Sequence, residues 1–148
     1  MTQLHSLVYV SSSARPVTDA DLQHLLQRAQ KRNGSCGVTG VLLFDAGNFM
    51  QYIEGPQEGL STVYGHIRRD PLHTGIIELC NESPAARAFE DWAMGAQMLD
   101  AAPGEGPWLV DSALEHRFKV GAVATGAAAA LLQGFWHRGR RRLSRGGA

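Results

Sequence analysis

The sequence predicts an α+β fold with the element order β-α-β-β-α-β-β, on three observations. Short runs rich in β-branched and aromatic residues alternate with two amphipathic helical patterns. A compact turn sequence, Asp45-Ala46-Gly47-Asn48, joins two of those runs into a hairpin. The length, 148 residues of which 44% are hydrophobic, suits one core and excludes disorder throughout.

Each element has a local reason. Residues 4–11 (LHSLVYVS) read as the first strand. Thr18 stands three residues before Asp21, a carboxylate version of the capping box, and Leu22, Leu25, Leu26 and Ala29 follow at the spacing of one helix face. Asn33-Gly34 ends that helix. Residues 38–44 and 49–54 form the hairpin strands. Gly55-Pro56 breaks the pattern and opens a second helix with Leu60, Val63, Tyr64 and Ile67 on one face. Residues 75–82 read as a fourth strand, and residues 91–98 as a fifth. This is the split βαβ order of a ferredoxin-like sandwich, with both helices on one sheet face. Short helices over 111–118 and 122–136 are expected to cover the other face. The domain plan is therefore a unit over 1–100, a linker at 101–107 (AAPGEGP), a helical cap over 108–136 and a basic, mobile tail over 137–148.

Zero formal net charge hides an asymmetry: residues 1–116 carry 7 basic and 14 acidic side chains, and residues 117–148 carry 7 basic and none acidic. Two cysteines exclude a disulfide framework, and six scattered histidines give no metal-ligand spacing. The N-terminus has no basic region followed by an apolar one, so a cytoplasmic setting is expected. Residues 120–136 (VGAVATGAAAALLQGFW) carry no charge, but 17 residues rich in Ala and Gly lie at the lower limit of a span. A packing or self-association helix is the expectation, and no membrane span. The arginines beyond it (Arg138, Arg140, Arg141, Arg142 and Arg145) would be solvated, open to an acidic partner, nucleic acid or the acidic body of another subunit.

The chemistry rests on two residues. Tyr9 is a phenol in an otherwise aliphatic strand, and Gln51 is a primary amide among Phe49, Met50, Tyr52 and Ile53. A buried amide must find partners for two donors and an acceptor or cost about 1–3 kcal/mol. Two readings stand: a Tyr–Gln hydrogen bond that satisfies a core, or a heteroaromatic ligand whose edge needs donor and acceptor together. Two other classes compete. A nucleic-acid module would use the Arg-rich end, but the exposed K/R-G-F/Y-G/A-F pattern is lacking. A phosphate-handling enzyme would need an Arg-bearing loop after the first strand, for which residues 11–16 (SSSARP) are a weak candidate.

Tyr9, Asn33, Val38-Thr39-Gly40, the string Phe49-x-Gln51-x-x-Glu54-Gly55-Pro56, Asp70-x-x-His73 and Trp92-x-Met94 form one set of motifs. By these, from Leu4 to about Met98, the chain resembles the BLUF domain, a flavin-binding blue-light sensor family. The resemblance implies a flavin (FAD, or else FMN or riboflavin) between the two helices. Asn33 would hold the imide edge of the ring, with His73 near it, and Gln51 would bridge the ring and the Tyr9 hydroxyl. Leu7, Leu25 and Ile67 would form walls, and Arg32, Lys31 and Arg28 would lie toward the phosphate end. The resemblance implies that Tyr9 gives an electron and a proton to the photoexcited ring and regains them. The Gln51 amide is left rearranged and the absorption red-shifted, without substrate turnover. Met94 and Trp92, both in the fifth strand, would pass the change to the outer sheet face. Glu54 is expected to serve the turn and the N-terminus of the second helix.

One departure stands out: Leu72 occupies a position where the family usually has an arginine that donates to the flavin C2 carbonyl. An arginine restored there is expected to strengthen flavin binding. With about 50 residues beyond the sensor, a photoreceptor without an attached enzymatic domain is expected. It would be a homo-oligomer acting on a downstream protein partner, with nucleic acid the lesser expectation.

Overall fold

The computed structural model describes residues 3–99, 112–123 and 126–146. Strand β1 (Leu4–Ser13) leads to helix α1 (Asp19–Ser35), followed by strands β2 (Thr39–Asp45) and β3 (Asn48–Pro56), helix α2 (Gln57–Arg69) and strands β4 (His73–Glu82) and β5 (Gly95–Met98). Helices α3 (Ser112–Lys119) and α4 (Gly126–Gly146) follow. At the start of α1 the reciprocal box forms: the Asp21 amide donates to Thr18 Oγ1 at 3.1 Å, and the Thr18 amide to Asp21 Oδ2 at 2.9 Å. The hairpin turns on Ala46 (φ 47°) and Gly47 (φ 87°), and two successive left-handed residues match the strand twist.

The sheet order is β4-β1-β3-β2-β5, antiparallel except for the parallel β2–β5 pair. Strand alternation gives the sheet two apolar faces. Leu7, Tyr9, Leu42, Phe49 and Ile53 pack beneath α1 and α2. Val8, Val41, Leu43, Met50 and Tyr52 pack against Leu114 and Phe118 of α3 and Leu132 and Trp136 of α4. The C-terminal helices thus cover the sheet's second face. A groove of about 1050 Å³ is left open between α4 and the edge strand β4, where Ile77 and Leu79 are exposed.

Three expectations need correcting. The fifth strand begins at Gly95, so Trp92 and Met94 precede it rather than lie in it. The reason is a set of polar groups that take the backbone out of the ladder: Glu54 receives the amides of Ala88 and Phe89, Asn33 donates to the Ala93 carbonyl and Gln30 to that of Met94. Helix α4 starts at Gly126 rather than at 122, and it does not stop at Trp136. The arginine run expected as a mobile tail is helical through Gly146, because Arg140 bonds Glu115 of α3 at 2.9 Å with both side chains largely buried. Gly139 permits that docking, since a Cβ there would lie 2.6 Å from Cβ of Leu99. The linker expected at 101–107 and residues 147–148 lie outside the described residues. No helix among the described residues is long and apolar enough to cross a membrane.

Candidate functional site

The β1–β3 register sets Tyr9 directly opposite Gln51, with Leu42 on the other side of Gln51 in the β2–β3 pair. The three side chains therefore share the face beneath α1 and α2. Tyr9 is completely buried, and its hydroxyl has no hydrogen-bond partner among the described residues. Burial holds its phenol well above the usual value, with nearby Arg32 opposing. Gln51, nearly as buried, gives its side-chain N–H to the Met94 thioether at 3.4 Å, a weak acceptor. The Tyr–Gln hydrogen bond that would close off a purely structural core is not formed.

Above this pair, Leu25, Arg32, Ile67, His73 and Met94 line a narrow void with Gln51, about 10 Å³ in volume. A second pocket of about 420 Å³, sharing Leu25, Arg32 and Asp70 with the void, forms a mouth at the helix ends, lined also by Arg28, His66 and Arg69. His73 Nδ1 lies 2.9 Å from the Ser11 hydroxyl, and the ring stands edge-on to Phe49. Burial lowers its pKa, with Arg32 adding and Asp70 opposing. Burial also lowers the pKa of Arg32, which remains a cation at the base of the mouth. Asp70 there pairs with Arg28 at 3.7 Å.

Not every expected residue joins this set. Asn33 is fully buried at the end of α1, but its amide is committed to the Ala93 carbonyl at 2.9 Å and to Arg32 Nε at 3.3 Å. Lys31 is exposed, away from void and mouth. Trp92 packs on the opposite face with Phe89, 6.3 Å between ring centroids. Leu7 and Leu72 are core residues that do not line the void. Glu54 does not cap α2, whose N-terminus has no side-chain cap. It is buried, accepting from Thr39, Tyr52 and the amides of Ala88 and Phe89 at 2.7–2.9 Å. Sequence reasoning missed His66 and Arg69 at the mouth. Both stand on the polar face of α2, where nothing in the pattern separates a ligand-facing charge from a solvated one.

The donor set fits a flavin ring. Tyr9 offers a buried hydroxyl with no partner, and Gln51 an amide spent on sulfur. These are the unmet demands that a ring edge carrying nitrogen and carbonyl oxygen would meet. The void itself has room for about one water-sized group, so seating a tricyclic ring requires its lining to open.

Comparison with known proteins agrees with this geometry. Residues 4–95 match the family model described as sensors of blue-light using FAD. The chain is 34% identical over 92 residues to the photoactivated adenylate cyclase subunit beta of Euglena longa, covering 62% of this chain and 11% of that protein. It is 36% identical over 85 residues to the blue light- and temperature-regulated antirepressor BluF of Escherichia coli, covering 57% and 21%. The chain thus spans a small part of the curated relatives it matches. Among solved structures, the BLUF unit of BlrP1 superposes with a TM-score of 0.70 at 30% identity, over 91% of this chain and 90% of that one. The dark-state structure of BlrB, a BLUF protein, gives 0.63 at 34% identity, over 66% and 74%. With the family model matched from the first strand to the start of the fifth, the chain belongs to the BLUF family of blue-light sensors that use FAD.

Proposed function

We propose that Tyr9 and Gln51 are the photoactive pair of this sensor. The observation that carries the reading is the Tyr9 hydroxyl, buried without a partner among the described residues, directly across the ladder from an amide that donates to a thioether. A flavin, when bound, supplies blue-light absorption and an excited state that accepts an electron. Tyr9 would be the residue that gives that electron with its phenolic proton and regains both. Gln51, whose N–H can leave the Met94 sulfur at little cost, changes its hydrogen-bond partners in the cycle and keeps the change. Met94 and Trp92 stand on either side of Ala93 and carry the change toward the outer face. Asn33, with one N–H on the Ala93 carbonyl, keeps a second N–H for the imide edge of the ring.

The cationic mouth supports a flavin that bears phosphate, FAD first and FMN next, over riboflavin. No turnover is assigned to these residues. The name of one relative, an antirepressor, supports an output made through a protein partner, and the exposed Ile77 and Leu79 on an edge strand support self-association.

The test is an absorption spectrum of the purified protein in darkness and after blue light. A structured flavin spectrum that shifts to the red and relaxes, and that no longer shifts in Tyr9→Phe with flavin still bound, is the expected result. A full red shift in that variant overturns the assignment of Tyr9. Extraction of the pigment and its chromatography separate FAD and FMN from riboflavin.

A further inference from the structure

Residues 87–94 connect the two sides of the molecule, with Met94 packed in the inner cluster and Phe89 in the outer one. On the inner side, Asn33 and Gln30 hold the carbonyls of Ala93 and Met94. In the middle, Glu54 holds the amides of Ala88 and Phe89, and the Gly40 amide bonds the Trp92 carbonyl at 3.0 Å. On the outer side the segment meets one charged side chain from α3. Arg117 donates through Nη2 to the carbonyls of Ala88 and Val123, each at 2.7 Å, and through Nε to Ala122 at 3.1 Å. The same guanidinium lies 4.8 Å from the ring centroid of Phe89 and 5.5 Å from that of Trp92. Next in the chain, a Cβ on Gly95 would meet Leu114 of α3 at 2.9 Å, so the helix presses on the segment's end as well.

We infer that Arg117 is a positioning residue of the light sensor: from the outer face of the sheet it fixes residues 88–94 and thereby sets how firmly Met94 meets Gln51. It lies beyond the matched stretch, which ends at residue 95. The physical basis is that a segment outside the ladder, bonded to the sheet backbone at Gly40, takes the rest of its order from side-chain anchors. A planar guanidinium can bond carbonyls in its plane while its face meets an aromatic ring, which an ammonium cannot. Loss of Arg117 removes one anchor from the Ala88 carbonyl and from the Phe89 and Trp92 rings at once. The looser segment then holds the Met94 sulfur less well, and the Gln51 amide returns to its dark arrangement over a lower barrier. The inference rests on Gln51 being the switching amide.

Two readouts on the flavin-loaded full chain test it: amide hydrogen exchange in darkness, and the rate at which the red shift decays after illumination. In Arg117→Met, exchange at 88–95 should rise about tenfold while β1 and β3 stay protected, and decay should be about threefold faster. Arg117→Lys, which keeps charge without the fork, should fall between. Flavin content should match the parent in both. Exchange and decay within about twofold of the parent would overturn the inference, as would exchange that rises equally in β1 and β3. If Arg117→Met does not fold, Phe89→Leu removes one ring under the guanidinium and must show the same localised exchange, or the inference fails. A parent protein with no red shift at all fails the Tyr9–Gln51 reading instead, and the exchange comparison in darkness still decides whether Arg117 orders the segment.

Discussion

Tyr9 and Gln51 face each other across the β1–β3 ladder, yet the Tyr9 hydroxyl makes no hydrogen bond to the amide, whose nitrogen turns to Met94. A core built for stability would have joined the two, since both are buried and within one ladder step. The unpaired hydroxyl is a cost of about 1–3 kcal/mol that the fold carries.

That cost is measurable. In flavin-stripped protein, Tyr9→Phe keeps the ring's volume and its packing 5.7 Å from Tyr64, and removes the unpaired group. Stability should rise by about 1 kcal/mol in a denaturant titration. In the flavin-loaded protein the gain should vanish or reverse, because the hydroxyl then has a partner. A loss of stability in the stripped protein would mean that the hydroxyl is already satisfied.

Leu72 and Arg32 give the second prediction. Restoring an arginine at 72 looks favourable from sequence, but Leu72 is buried in the core under α1 and α2 and does not line the void. Leu72→Arg should bury a charge and lower stability by roughly 2 kcal/mol or more, without tightening flavin binding. Arg32, which lines both void and mouth, is the cation in position to meet a ring carbonyl or phosphate. Arg32→Met should weaken flavin binding about tenfold, about 1.4 kcal/mol, by fluorescence titration. Unchanged affinity there, or tighter binding in Leu72→Arg, would reverse the assignment.

Alternation and helical period put Tyr9, Gln51, Leu25 and Ile67 on facing surfaces, because burial of one face leaves a periodic trace. The capping box at Thr18 and the turn at Ala46-Gly47 were legible for the same reason: short-range chemistry decides them. The residues 87–94 were not, since what removes them from the sheet is Glu54 and Asn33, more than 30 residues away in the chain. Arg140 reads as one of a solvated run until Glu115 is seen beside it, and only tertiary contact pairs them. Leu72 faces the core and Arg32 the void by orientations that a list of residue types does not contain.

His73 gives a pH dependence whose sign follows from burial. Its pKa lies below the ordinary histidine value, so the unfolded chain takes up the proton first. Its neutral form is therefore a native preference that is present at neutral pH and above. It is lost as the pH falls below about 6.5 and through the folded value. Melting temperature should drop between pH 7.5 and 5.5, and by less in His73→Phe, which keeps the edge-on contact with Phe49 but cannot charge. Equal drops in both proteins would assign the acid sensitivity elsewhere.

The cap over the outer face gives the last prediction. Helices α3 and α4 cover Val41, Leu43, Met50, Tyr52 and Phe89, side chains worth about 1.5–3 kcal/mol each when fully removed from water. A chain ending at Gly106 would expose them together with the already exposed Ile77 and Leu79, making one continuous apolar face. Residues 4–95, with Tyr9, Gln51 and the helices above them, would remain. The truncated protein should therefore still bind flavin and red-shift, but self-associate, with a larger apparent mass by size exclusion with light scattering. Gly139→Val should do the same more mildly, because its side chain would strike Leu99 and lift α4 from the sheet without removing it. A truncated protein with the parent's association state and melting temperature would show that the cap contributes neither packing nor protection to the sheet.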